Sequence, residues 1–282
     1  MNNTMRRVSY VFLCLVPFLA IPLAGVRALR IPGVYQIVGG LLFAAIVISA
    51  WPLGMRAIKT GPALTQQRAL AGALLLVPFT LVSLLWVGLA PPWEATPTEN
   101  RMRYLVLLVN SIAVTGGFVV LKEVLHDTGE RLYSTLAFAA NMLAGAAYLV
   151  WLSFALGAYV VKVRTGQTPA AVNAMGDVYE ILLFMACVLT YLTTAAFAAS
   201  LGRARWLTRA ATRAYVIANS IALLFILLRG LSFPDPTASS TPWYMSPGFI
   251  AGIPAVPWIM PFLLGVVLLR RAGDEAVITT SA

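Results

Sequence analysis

Charge is the scarcest ingredient of this chain: Asp, Glu, Lys and Arg together make up 11% of its 282 residues, where a soluble globular domain carries roughly a quarter. So few charged side chains cannot cover the surface of a 30.3 kDa soluble protein, and a soluble enzyme is excluded. Histidine is nearly absent. With His126 alone, a two-histidine haem site, a His-rich metal cluster and HExxH chemistry all lack their ligands. The two cysteines, Cys14 and Cys187, lie inside apolar blocks, where thiols serve as packing residues and no disulfide framework follows. Also missing are a Walker A sequence, GxSxG, CxxC and a DxxxD pair within a helix, so familiar membrane-enzyme chemistries have no residues to run on. No catalytic residue, no metal and no cofactor is expected. The absence of a long extramembrane domain argues against a receptor with a large sensor module.

What the chain has in excess is apolar sequence, 60% of all residues, with a mean hydropathy of +0.85. It falls in eight blocks with few or no charges, at about Val8–Val26, Gly33–Gly54, Ala69–Ala90, Tyr104–Leu121, Leu132–Val161, Val178–Leu201, Ala214–Leu231 and Phe249–Leu269. Most are long enough to cross a ~30 Å hydrocarbon core at ~1.5 Å per residue. The expected fold is therefore all-α, a polytopic transmembrane bundle of about eight spans forming a single integral membrane domain over residues 1–282. The fifth block exceeds what a crossing needs and has to tilt, kink or protrude. The first follows Arg6 and Arg7 as a signal peptide would, but Pro17 and Pro22 interrupt it and no A-x-A site follows. It is expected to be retained as a helix.

A net charge of +10 does not point to nucleic acid, because the bases sit at the ends of apolar blocks rather than in one stripe. With the N-terminus inside, Arg6, Arg7, Arg56, Lys59, Arg68, Lys122, Arg131, Arg203, Arg205, Arg209, Arg213, Arg270 and Arg271 fall on the cytoplasmic side, thirteen of the 20 bases. That bias puts both termini in the cytoplasm of a cell membrane, most simply a bacterial cytoplasmic membrane. The opposite loops carry prolines and the aromatics Trp86, Trp93, Trp243, Tyr244 and Trp258, where an interfacial belt is expected. The partners implied are the lipid bilayer, a small-molecule ligand, and a second copy of the chain or another membrane protein.

Two tandem four-helix repeats, 1–125 and 126–282, are suggested by near-constant offsets. Gly33–Ile37 (GVYQI) corresponds to Asp177–Ile181 (DVYEI) at 144, Arg68–Ala69 to Arg213–Ala214 at 145, and Pro91 to Pro234 at 143. Eight spans with both ends inside make such copies parallel, related by an axis along the membrane normal. Where the copies differ, the second has gained charge: Asp177 for Gly33, Glu180 for Gln36, Arg229 for Trp86.

Those differences define a candidate polar pocket. Asp177 and Glu180, three residues apart, share a helix face, and Arg229 lies ~24 Å along the next helix from Arg213, near the same outer level. A charge facing lipid at the centre of a helix costs ~2.5 to 3.5 kcal/mol, less near the interface, which favours a partner or water over lipid. Asn141, near the middle of the fifth span, and Gln36 complete the candidate set, while Asn110, Thr190, Thr194 and Asn219 read as interhelical packing. The pocket and the prolines of spans one, two, three and eight motivate a small carrier or permease; the alternative is a non-transporting accessory, stress or sensor component. The segment Lys122–Arg131, with charges of alternating sign, reads as a solvated helix end and turn.

Overall fold

The computed structural model describes residues 3–24, 34–86, 95–167, 170, 174–230 and 256–281. Among them there are helices and turns and no strand: α1 (Asn3–Ala24), α2 (Val34–Ala50, continued by a π turn Trp51–Met55), α3 (Ala57–Thr60), α4 (Ala63–Trp86), α5 (Pro97–His126), α6 (Leu132–Thr165), α7 (Gly176–Arg203), α8 (Arg209–Gly230) and α9 (Ile259–Ser281). The fold is all-α. Among the described residues, five stretches are long and apolar enough to cross a membrane, namely Ile37–Thr60, Pro97–His126, Leu132–Thr165, Val178–Arg203 and Arg209–Leu228. Their outer faces are apolar too: Leu136 and Leu143 on α6 and Ile217, Ile221 and Leu224 on α8 are all exposed. In water such continuous apolar surface is a liability, and in lipid it is the solvated face. The chain is a membrane protein by this pattern.

Helix boundaries follow local chemistry. α5 starts seven residues before the apolar block because Thr96 and Glu99 form a capping box. The Thr96 amide donates to Glu99 Oε2 (2.7 Å) and the Glu99 amide to Thr96 Oγ1 (3.3 Å), with Pro97 at the first helical position. α6 ends where Gly166 turns left-handed at φ 70° and its amide reaches the Lys162 carbonyl at 2.9 Å, a glycine C-cap. Its 34 residues span ~51 Å, so it overshoots a bilayer core as its block length implied. α2 breaks at Pro52, where the Arg56 amide bonds five residues back to Trp51 at 3.4 Å. The last helix begins at Ile259 and runs past Arg270 and Arg271; residues 249–255, where the expected eighth span starts, lie outside the described residues. Pro257 falls in the preceding turn and Pro261 in the first helical turn, where a missing amide costs nothing.

Two compact units are formed, Met1–Val124 with Pro261–Ala282, and Leu125–Met260. In the first, α1, α2 and α4 pack together and α9 lies against α2 and α4, with Leu13, Ile46, Leu75, Phe118 and Phe262 fully or almost fully buried. Glycine permits this approach. A Cβ on Gly54 would lie 1.8 Å from the Leu269 carbonyl oxygen, one on Gly273 2.0 Å from that of Leu53, and one on Gly265 2.7 Å from that of Gly72. Small-residue contacts of this kind replace the hydrophobic effect as the packing force in membranes. Asn110 of α5 donates to the Pro78 carbonyl of α4 at 3.0 Å, the interhelical packing role expected of it.

In the second unit α6 pairs most extensively with α7, and α7 with α8. The buried residues of α6 recur in sevens, Ser134, Asn141, Tyr148 and Ala155 alternating with Ala137, Ala144 and Trp151. A 3.5-residue period is the seam of a left-handed antiparallel pair crossing near +20°. Trp258, expected in the interfacial belt, is instead fully buried, its ring centroid 5.5 Å from that of Tyr148. Trp93, Trp243, Tyr244 and Pro254 lie outside the described residues.

Candidate functional site

The α6–α7 seam is lined with polar groups that stay neutral. Tyr148 Oη lies 3.7 Å from Cys187 Sγ, and Thr190 Oγ1 sits 3.5 Å from the same phenol while donating to the Ala186 carbonyl at 2.7 Å. Thr194 likewise donates to the Thr190 carbonyl at 2.8 Å. Hydroxyls that bond back to their own helix are satisfied without a ligand. Trp151 and Tyr179 meet above them with centroids 5.4 Å apart, extending the seam toward the start of α7.

Of the candidate pocket residues, Asn141 and Glu180 are described in full. Asn141 is buried on α6 and Glu180 is partly buried in the second turn of α7. They lie at different depths. Trp151 is level with Tyr179, and Asn141 is ten residues earlier on α6, a displacement of ~15 Å along the axis. Asp177 and Arg229 belong to α7 and α8, and Gln36 to α2 of the first unit; the side chains of these three lie outside the described residues. Along the paired helices, Glu180 is ~35 Å from Arg203 on α7 and Arg229 ~30 Å from Arg209 on α8, so their backbones reach nearly the same level.

The residue that sequence reasoning missed is Glu130. In the solvated segment Lys122–Arg131, residues 126–129 are exposed as expected, and Gly129 turns at φ 82°. Glu130 breaks the pattern by being buried. Its carboxylate accepts the amides of Tyr133 (3.0 Å) and Ser134 (3.1 Å) and a hydrogen bond from the Ser200 hydroxyl. It thereby caps α6 and ties it to α7. Burial pushes its pKa up, but the bonds from Ser200, Tyr133 and Ser134 outweigh burial and hold it below the ordinary carboxylate value. Beside it opens a cleft of about 450 Å³ lined by Gly129, Arg131, Leu132, Arg203 and Ala204. The Arg203 guanidinium lies over the Tyr133 ring at 4.9 Å. An acid three residues before the second residue of an apolar helix was the signal available in the sequence, read there as part of a charge run.

The first unit holds the other ionic cluster. Arg6 pairs with Asp274 at 2.8 Å and its Nη2 also donates to the carbonyls of Leu53 (3.5 Å) and Arg270 (3.3 Å). Arg68, 4% exposed, pairs with Glu275, which also accepts from Thr65 Oγ1 at 3.2 Å and faces Arg271 Nε at 3.7 Å. These pairs lock the end of α9 to α1 and α4 and close on one another. Among the described residues no group of His, Cys, Asp and Glu has the arrangement of a metal site. No family model matches the chain, and neither a curated protein nor a solved structure does.

Proposed function

We propose that the chain is a multi-pass protein of a bacterial cytoplasmic membrane, with eight crossings in two parallel repeats and both tails cytoplasmic. In this reading it acts as a small carrier or permease whose outward-facing polar pocket is built from Asp177, Glu180 and Arg229. The observation that carries the proposal is the matching height of Glu180 and Arg229 on the adjoining helices α7 and α8. Opposite charges at one level of a bundle favour each other or water over lipid. Asn141, deeper in the same unit, belongs to the same candidate set.

The test is solute exchange in proteoliposomes against a panel of small charged metabolites. Saturable flux that Glu180→Gln and Arg229→Ala both abolish, with membrane insertion intact, supports the carrier. Flux retained in both variants removes the site. The alternative, a non-transporting accessory, stress or sensor component, draws on the ion pairs of the first unit, Arg6 with Asp274 and Arg68 with Glu275, which hold helices together. It expects no flux and a co-purifying membrane partner.

A further inference from the structure

We infer that the cleft between the start of α6 and the end of α7 binds the phosphodiester of an anionic phospholipid headgroup. The inference rests on the reading of the chain as a membrane protein and is independent of the carrier assignment. Arg131, at the N-cap of α6, and Arg203, at the end of α7, line the cleft, and among the described residues no carboxylate pairs with either. The Arg203 guanidinium lies over the Tyr133 ring at 4.9 Å, a cation–π contact that steadies it beside the cleft, and a guanidinium suits a bidentate oxyanion. The one acid in the wall, Glu130, has its carboxylate engaged by Tyr133, Ser134 and Ser200, so its charge is already stabilised within the protein. Arg205, Arg209 and Arg213 follow on the adjoining turn and on α8, adding attraction without lining the cleft.

A lipid is favoured over a free phosphate by what lies directly along α6. Leu132 lines the cleft and is 61% exposed, and Leu136, one turn on, is 57% exposed. A headgroup in the cleft sets its acyl chains on that apolar face, whereas a free anion makes no use of it. Basic pockets between helix ends on the positively decorated side are suited to such headgroups, each arginine contributing about a fivefold change in affinity.

The experiment reconstitutes the full chain in phosphatidylcholine vesicles with trace spin-labelled phosphatidylglycerol and, separately, spin-labelled phosphatidylcholine, and reads the motionally restricted fraction of each label. The expected result is selectivity for phosphatidylglycerol that falls about fivefold in Arg203→Gln and in Arg131→Gln. Arg213→Gln, the same charge change outside the cleft, should leave it largely intact. Equal losses in all three variants would replace the site by a diffuse field and overturn the inference, as would unchanged selectivity in the two cleft variants. Displacement of the label by inorganic phosphate, but not by chloride at matched ionic strength, would assign the cleft to a free anion and overturn the lipid assignment. Recovery of the chain outside the vesicles would overturn the membrane reading itself, and with it this one.

Discussion

Replacing Gly273 by alanine is expected to destabilise the first unit, although alanine is the better helix former. At this position the new methyl would sit 2.0 Å from the Leu53 carbonyl oxygen, and ordinary contact begins near 3.4 Å, so α9 must retreat by about 1.4 Å. The obstacle is backbone, which no rotamer change removes. A gap of 0.5 to 1 Å already forfeits about a quarter to a half of each dispersion contact, and overpacking of this kind costs about 1–3 kcal/mol. Retreat also stretches the contact from Arg6 to the Arg270 carbonyl of α9, now 3.3 Å. Against this, alanine returns about 1 kcal/mol of helix propensity. Gly40→Ala on α2 isolates that gain, because nothing lies within 4 Å of its added carbon. The difference between the two variants is then the clash alone, about 1–3 kcal/mol, read by equilibrium unfolding in mixed micelles on stepwise addition of SDS. A Gly273→Ala protein as stable as Gly40→Ala would refute the close approach of α9 to α2.

Two further outcomes follow from the ionic groups. Glu130→Gln should cost about 1.5–3 kcal/mol at pH 7 by weakening its charge-assisted hydrogen bonds. Because the folded pKa is depressed, that stabilisation is full above the unfolded value of about 4.3 and is lost as pH falls through the folded value. The gap between wild type and variant should therefore close in unfolding curves taken progressively below about pH 4; a gap independent of pH would show that the charge is not what matters. Glu275→Gln should destabilise more than Asp274→Asn. Glu275 neutralises the buried Arg68, whereas Asp274 is 57% exposed, so the first loss exceeds the ~1 kcal/mol of a surface pair and approaches the ~3–5 kcal/mol of a buried one. Equal melting of the two variants would contradict this ranking.

The apolar blocks made the helices legible, since continuous apolar sequence of spanning length has few alternative folds. What they concealed is which side of each helix faces protein. On α6 and α7 nearly every position is apolar or small, so no hydrophobic stripe marks the seam, and the sevenfold recurrence from Ser134 to Ala155 emerges only when burial is known. The start of α5 was readable in principle from Thr96 and Glu99, a capping box standing before the apolar run rather than within it. Gly54, Gly265 and Gly273 carried no signal, because glycine at a backbone crossing looks like glycine anywhere. The pairing of Arg6 and Arg68 with Asp274 and Glu275 links positions more than 200 residues apart, beyond any local pattern. The candidate pocket was read from differences between repeats, and of it the structure adds the depths of Asn141 and Glu180.

That α9 belongs with α1 to α5 has a consequence for biosynthesis. The second unit is made of one uninterrupted stretch and has all its parts as soon as residue 260 leaves the ribosome. The first unit, although translated earlier, stays one helix short throughout, for about 7 to 27 s at 5–20 residues per second. During that interval Gly54 and Gly72 present bare backbone with no helix to meet it, and Arg6 and Arg68 await their acids. The earlier-made half of the protein is thus the later one to be finished.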